Sequence, residues 1–98
     1  ENEYYSISEK TVKEPFMLVF PNPASDRVSI SIHSQNTLNA QLIFYSSGGS
    51  TLYKEKIRII KNVRNSFSIH TAGLPEGIYL VILKTENKLI SRKINIIH

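Results

Sequence analysis

Cysteine and tryptophan are absent from this 98-residue sequence, and glycine and proline occur only 4 times each. Without cysteine the fold has no disulfide framework and no thiolate metal site. So few glycines and prolines exclude a collagen-like or low-complexity chain. No run of 18 apolar residues occurs, which excludes a transmembrane helix. What is present, 41% hydrophobic and 20% charged residues, is the composition of one globular domain.

Charge is distributed unevenly along the chain. Residues 1–14 contain four glutamates and two lysines, a net charge of −2, whereas residues 15–98 contain ten Lys or Arg and four acidic residues, a net charge of +6. The acidic stretch lacks a hydrophobic period, so we expect residues 1–15 to be a linker or the tail of a preceding module and residues 16–98 to form the domain. Because the chain starts with Glu1 and shows no signal-peptide pattern, we expect a fragment of a longer precursor.

Short alternating segments separated by turn residues dominate the chain after Pro15, and no window shows a convincing helical period. The predicted strands are Phe16–Phe20, Arg27–Ser34, Leu38–Tyr45, Ser50–Ile60, Asn65–His70, Ile78–Lys84 and Lys88–His98. Seven strands of this length predict an all-β fold, specifically a seven-stranded antiparallel immunoglobulin-like β-sandwich.

Three local patterns refine this prediction. In the second strand, Ser29, Ser31 and His33 alternate with apolar residues, which predicts a solvated face. In the fourth, the parity of the apolar residues slips, which predicts a β-bulge near residues 54–56, and its basic residues are typical of an exposed edge. The sixth, Ile78–Lys84, is apolar on both faces, which predicts a central strand.

Catalytic constellations are missing. The chain has one aspartate, Asp26, and three histidines, and it lacks the strained G-x-S-x-G nucleophile turn. His33 and His70 fall on the polar faces of predicted strands, where a solvated histidine is the simpler interpretation. The dispersed acids and histidines favour neither calcium nor zinc. We therefore expect a protein that is not an enzyme and has no cofactor, metal or small-molecule substrate.

Two binding functions remain open as alternatives. The basic run around residues 54–64, with Tyr53 beside it, could form a nucleic-acid face, but a solvated edge strand explains it more simply. The tyrosines could form a platform for sugars in a surface adhesion or carbohydrate-binding sandwich. Those tyrosines are Tyr4, Tyr5, Tyr45 and Tyr53.

Three sequence blocks carry a resemblance to a known family. They are VFPNPASD at residues 19–26, LIFYSSGG at residues 42–49, and LPEGIYLV at residues 74–81, followed by the basic-apolar stretch SRKINI at residues 91–96. In this order the chain resembles the type A C-terminal sorting domain of the type IX secretion system of Bacteroidetes, over about residues 16–98.

The resemblance implies an address label for export. It implies a C-terminal signal that directs a cargo protein through the outer membrane, usually followed by cleavage and attachment to the cell surface. The implied route crosses the periplasm and ends at the outer membrane, the cell surface or the medium. The implied partners are the type IX translocon, an outer-membrane shuttle protein, a sortase-like cell-surface peptidase, and an upstream cargo domain of the same precursor; nucleic acid is not among them. The implied sorting motif consists of Pro21, Asn22, Pro23, Asp26, Gly48, Leu74, Gly77, Ile78, Tyr79, Lys93, Ile94 and Ile96.

Two mechanistic expectations follow from these residues. The last strand carries Lys88, Arg92 and Lys93, so its outer edge could be offered to a partner by strand addition or charge steering. The exposed polar stretch before Pro15 is where cleavage would separate cargo from domain.

Overall fold

The fold consists of two antiparallel β-sheets, as seen in a computed structural model of the chain that describes residues 15–98. The expected linker over residues 1–14 lies outside the described residues. The strands are β1 (Phe16–Phe20), β2 (Arg27–His33), β3 (Leu38–Ser46), β4 (Thr51–Ile59), β5 (Asn65–His70), β6 (Gly77–Lys84) and β7 (Leu89–Ile96). The prediction of an all-β chain with seven strands is confirmed.

One sheet has the strand order β1-β2-β5 and the other has the order β4-β3-β6-β7. The central position of β6, expected from its two apolar faces, is confirmed, and so is the edge position of the basic strand β4. Within residues 15–98 there is no helix with the length and apolar content needed to cross a bilayer.

The core lies between the two sheets and follows the period of two expected for strands. In β2, Val28, Ile30 and Ile32 are at most 1% exposed, and they face residues of the other sheet such as Leu42 and Val81, which are fully buried. Burial of such side chains contributes about 1.5–3 kcal/mol each, so this face supplies much of the stability of a small domain.

The position of the β-bulge differs from the prediction. The register between β3 and β4 shifts between Phe44 and Tyr45, where Tyr53 and Thr51 are the partners and Leu52 is the extra residue. The bulge therefore lies at the start of β4 and not near residues 54–56, and the extra residue Leu52 accounts for the parity slip.

Ser31 was expected on a solvated face but is only 3% exposed. Its hydroxyl accepts a hydrogen bond of 3.2 Å from Nε of Arg64, whose side chain covers it. The face is polar, as the pattern indicated, but a long arginine side chain shields its middle from water.

The loops divide the molecule into two ends. We call one of them the motif end: loops 21–26, 47–50 and 71–76, together with residues 97 and 98. The opposite end contains loops 34–37, 60–64 and 85–88, and Pro15, where the described chain enters β1. The register confirms this division, because Ser46 pairs with Tyr79 and Gly77 with Ile96, while Leu38 pairs with Ile59 and Lys84 with Leu89.

Candidate functional site

All three sequence blocks reach the motif end, although they are far apart in the sequence. The first block forms loop 21–26, the second leads into loop 47–50, and the third begins in loop 71–76 and continues into β6. The final strand β7 ends at the same place. Antiparallel connectivity brings alternate loops to one end, and this places the blocks together.

Loop 21–26 lies along the outer edge of the end of β7. Ala24 forms a parallel bridge with Ile96, in which its N–H donates to the carbonyl of Asn95 (2.8 Å) and its carbonyl accepts from the N–H of Ile97 (2.9 Å). The side-chain oxygen of Asn22 accepts a further bond from the N–H of Asn95 (3.1 Å). Three hydrogen bonds thus fasten the first sequence block to the last strand.

The peptide bonds before Pro21 and Pro23 are both cis. Pro21, Asn22 and Pro23 are all exposed, as is Asp26, while Ala24 between them is 2% exposed. The loop therefore shows polar and prolyl groups to solvent and turns its alanine towards the core.

The expectation of an open outer edge on the last strand is only half right. β7 is an edge strand, but loop 21–26 covers residues 95–97, so a partner strand has access only to the part nearer Leu89. Arg92, expected among the groups offered to a partner, donates from Nε to the carbonyl of Met17 in β1 (3.2 Å). All three expected cations are exposed, but the guanidinium of Arg92 is bonded to the carbonyls of Met17 and Ser91.

Loop 71–76 is tied to loop 21–26 by Thr71, which is fully buried. Its hydroxyl donates to the carbonyl of Ser25 (2.6 Å), and its N–H donates to the carbonyl of Asp26 (2.9 Å). Sequence reasoning missed Thr71. The only signal available was a small polar residue just ahead of the Ala-Gly turn, and such a residue is common in loops.

Tyr79 points inward and supports the same loop. Its side chain is 5% exposed, and its ring stacks on that of Phe44 with a centroid separation of 5.3 Å and an interplanar angle of 1°. Its hydroxyl donates to the carbonyl of Pro75 (2.5 Å). The tyrosine thus connects the second and third sequence blocks through ring packing, and its hydroxyl fastens loop 71–76 to the core.

Two glycines shape the backbone here. Gly77 has φ of 153° and Gly49 has φ of 93°, conformations that residues with a side chain rarely adopt. Gly48, the glycine expected in the sorting motif, has no positive φ, so the left-handed position of loop 47–50 belongs to its neighbour. The turn closes with a hydrogen bond from the N–H of Gly49 to the carbonyl of Ser46 (3.0 Å).

The last residue of the sequence is held by the same loops. The N–H of His98 donates to Glu76 Oε2 (2.8 Å), and Nε2 lies 2.6 Å from the carbonyl of Leu74. A carbonyl can only accept, so Nε2 carries the proton in this arrangement. Nδ1 lies 3.4 Å from the hydroxyl of Ser25.

The expected sorting residues divide into two groups. Ile94 and Ile96 are fully buried and Tyr79 nearly so, whereas Leu74 and Gly77 are half-buried. The exposed members are Pro21, Asn22, Pro23, Asp26, Gly48, Ile78 and Lys93. Six of the twelve lie in the loops of the motif end, five lie in the adjoining ends of β6 and β7, and Lys93 lies one residue further along β7, opposite Leu80.

The motif end offers shape and hydrogen bonds to a partner. Among residues 15–98, no group of three or more His, Asp or Glu side chains could hold a metal ion. The two described tyrosines of the expected sugar platform do not meet: Tyr53 pairs with core-facing Phe44 and lines a crevice with Ile69, while Tyr45 faces the other side of its sheet.

Comparisons with known proteins identify a family and solved structures with a similar fold. The model of the family described as the secretion system C-terminal sorting domain matches residues 18–97. The curated proteins include no match to the sequence. The fold is similar to part of dimeric latent PorU from Porphyromonas gingivalis, with a TM-score of 0.65 and 12% identity, covering 89% of this chain and 10% of that one.

A beta-glucosidase from Listeria innocua, in complex with glucose, has a TM-score of 0.48 and 9% identity, covering 85% of this chain and 16% of that one. This chain therefore spans about a tenth of PorU and about a sixth of the glucosidase.

Proposed function

The chain belongs to the family of secretion system C-terminal sorting domains, and we propose that its motif end is the surface that the secretion machinery recognises. A domain of this family is the C-terminal sorting signal of type IX secretion, and it directs its cargo to the cell surface or out of the cell. It acts as a tail signal on the cargo and not as the catalyst of a reaction.

The convergence of the three sequence blocks at one end supports this proposal most directly. A receptor that reads many different cargoes must read something that the sorting domain itself supplies. Thr71, Tyr79 and the strand β7 fix loops 21–26 and 71–76, and loop 47–50 lies at the same end, closed by its own hydrogen bonds. A surface held by backbone hydrogen bonds presents its exposed groups in one geometry, which lowers the entropic cost of binding.

We propose different roles for the exposed and buried members of the sorting motif. Pro21, Asn22, Pro23 and Asp26 would contact the partner directly, with Gly48, Ile78 and Lys93 at the margin. Leu74, Gly77 and Tyr79 would position loop 71–76, and Ile94 with Ile96 would anchor the last strand in the core. The burial of these last two residues supports the division, because a fully buried side chain cannot touch a partner.

The partners and route that we propose are those of the resemblance. The type IX translocon and an outer-membrane shuttle would bind the domain after transit through the periplasm. A sortase-like peptidase would then cleave within residues 1–15 and release the domain 16–98 from the upstream cargo. The position of Pro15 at the end opposite the motif end supports this, because cleavage and recognition would use separate surfaces.

We also propose that the two sheets form an immunoglobulin-like sandwich. The support is the sheet orders β1-β2-β5 and β4-β3-β6-β7, in which hairpins join neighbours within a sheet and loops 34–37, 60–64 and 71–76 cross from one sheet to the other. These orders differ from those of an antibody constant domain only in that the fourth strand lies on the second sheet.

Export of a reporter tests the proposal. The 98-residue chain is fused behind a reporter that carries an inner-membrane export signal, in a bacterium with a type IX system. The double variant Asn22→Ser/Asp26→Asn should reduce the secreted reporter about tenfold, as expected for the loss of roughly 1.4 kcal/mol of recognition. The control Lys61→Gln/Val63→Ser changes two exposed residues of loop 60–64 at the opposite end and should be exported normally.

Both variants must keep the thermal stability of the parent chain for the comparison to hold. Normal export of the first variant would refute recognition through loop 21–26. An equal fall in both would show that export depends on overall surface composition instead.

A further inference from the structure

The outer face of the four-stranded sheet has an apolar centre. On the central strands β3 and β6, the side chains turned away from the core include Ile43, Tyr45, Leu80 and Ile82. Register pairs Ile43 with Ile82 and Tyr45 with Leu80, so the four form one contiguous patch. Ile82 is 8% exposed, and the other three are half-buried. This face is separate from the loops of the motif end.

Cations flank this patch on both sides. They are Lys54, Lys56 and Arg58 on β4, Lys84 at the end of β6, and Lys93 on β7, and all five are exposed. Lys56 pairs with Gln41, which pairs with Lys84, so these two lysines lie in one row across three strands. That spacing is roughly 10 Å, about the Debye length at 0.1 M salt. Several anionic groups can therefore bind side by side.

Carboxylates are nearly excluded from this face. Glu55 of β4 points to the opposite side, where it accepts a hydrogen bond from the hydroxyl of Tyr53. Of the acids in residues 15–98, Asp26 and Glu76 lie in loops of the motif end, and Glu86 alone reaches this face. Glu86 lines a shallow depression of about 640 Å³ together with Lys56, Arg58 and Lys84.

Exposed apolar side chains border the same face on the β7 side. Leu89, opposite Lys84, is 63% exposed, and Ile78, opposite Asn95, is 40% exposed. This arrangement complements the interface of a bilayer. The lysine ammonium groups can meet the headgroup phosphates, and the leucine and isoleucine side chains at the margin can meet the apolar layer below them. A nucleic-acid face would instead require aromatic rings free for stacking, and the one aromatic here, Tyr45, is half-buried.

We propose that this outer face binds peripherally to a membrane surface that carries phosphate-bearing anionic lipid headgroups. The lysines contact the phosphates, and Leu89 and Ile78 reach the interfacial layer. The inference takes from the proposed function only that the domain meets an outer membrane. It adds a lipid-binding surface that adjoins the protein-recognition surface at Ile78 and Lys93, which lie at the margin of both, and that would hold the domain close to the bilayer.

Sedimentation of the 98-residue chain with lipid vesicles tests the proposal. The protein should bind phosphatidylcholine vesicles that contain phosphatidylglycerol, and it should not bind vesicles of phosphatidylcholine alone. Each lysine near an anionic surface changes the partition constant about fivefold, so Lys56→Gln/Lys84→Gln should weaken binding about 25-fold. Arg27→Gln/Lys61→Gln removes the same charge from other surfaces and should stay within about twofold of the parent. Leu89→Ser should weaken binding without altering its salt dependence.

Three results would overturn the proposal. The first is no binding of the parent chain to anionic vesicles at low salt. The second is an equal loss in the two double variants, which would reduce the effect to net charge. The third is tighter binding to duplex DNA or to polyglutamate than to vesicles, which would assign the face to nucleic acid or to an acidic protein. Vesicle binding is measured on the purified chain, so its result does not depend on the outcome of the export experiment.

Discussion

A proline at position 97 tests whether loop 21–26 is fastened to the last strand in the way described. Ile97→Pro removes one N–H and therefore the hydrogen bond to the carbonyl of Ala24 (2.9 Å). Ala24 is only 2% exposed, so its carbonyl would lose its partner where water has little access. Ile97 itself is 46% exposed, and its side chain contributes little to the core.

The expected magnitude follows from these two facts. A buried acceptor left without a partner costs about 1–3 kcal/mol. For a domain of this size, each kcal/mol lowers the melting temperature by about 4–8 °C. Ile97→Pro should therefore melt about 4–24 °C below the parent, with a parallel loss of free energy of unfolding in urea.

The matched control is Ile97→Ala, which shortens the same exposed side chain but keeps the N–H. We expect it to lie within about 0.5 kcal/mol of the parent, as exposed substitutions usually do. In the export assay, the proline variant should lose secreted reporter at temperatures where it is still folded, and the alanine variant should not. Equal stability of the two variants in urea would show that the bridge to Ala24 does not hold loop 21–26, and the reasoning would fail.

Three further predictions address the scaffold, each by urea unfolding or spectroscopic titration. Gly77→Ala should lower the free energy of unfolding by about 1–3 kcal/mol, because Gly77 has a φ of 153°. Gly73 has no such φ, and an added Cβ there would meet no atom within 4 Å, so Gly73→Ala should leave the free energy of unfolding nearly unchanged. Asn65→Ala should lower the free energy of unfolding by about 1–3 kcal/mol, because the side-chain amide of Asn65 forms hydrogen bonds with the backbone of Ile60 and Ile32. Ser66→Ala, at the neighbouring exposed position, should leave that free energy nearly unchanged. Equal losses in the two variants would refute the bridging role of Asn65. The hydrogen bond to Glu55, reinforced by desolvation and by the glutamate charge, raises the pKa of Tyr53 above 10.0, so its stabilising contribution should be complete below that pH and lost as the pH rises through the higher pKa. Ultraviolet titration should detect the late ionisation of Tyr53, and Glu55→Ala, which removes both the acceptor and the charge, should lower the pKa of Tyr53; an unchanged titration curve in that variant would assign the shift elsewhere.

Local patterns in the sequence predicted the strands well, because each strand expresses its own period of two. The alternation of Val28, Ile30 and Ile32 is a property of seven adjacent residues, and its burial follows directly. The shielding of Ser31 could not be predicted, because Arg64, which covers it, is 33 positions away. The bulge was misplaced for a related reason: its position depends on the pairing of β4 with β3 and not on β4 alone.

The candidate site shows the same limit more sharply. Resemblance identified the three sequence blocks, but their meeting at one end depends on strand order, which no local pattern contains. The bonds from Thr71 to loop 21–26 join positions 46 and 45 apart, and Ala24 meets Ile96 across nearly the whole domain. The basic outer face also needed the topology, since its lysines come from three different strands.

The separation between Pro15 and the motif end has a consequence for how cargo is handled. The five residues of β1 place Pro15 about 20 Å from loop 21–26. On the function proposed above, a partner that covers loops 21–26, 47–50 and 71–76 leaves the upstream junction uncovered at the opposite end. The domain would then work as a spacer: cargo would extend from one end while the other stays engaged, and a second protein would reach the junction without displacing the first.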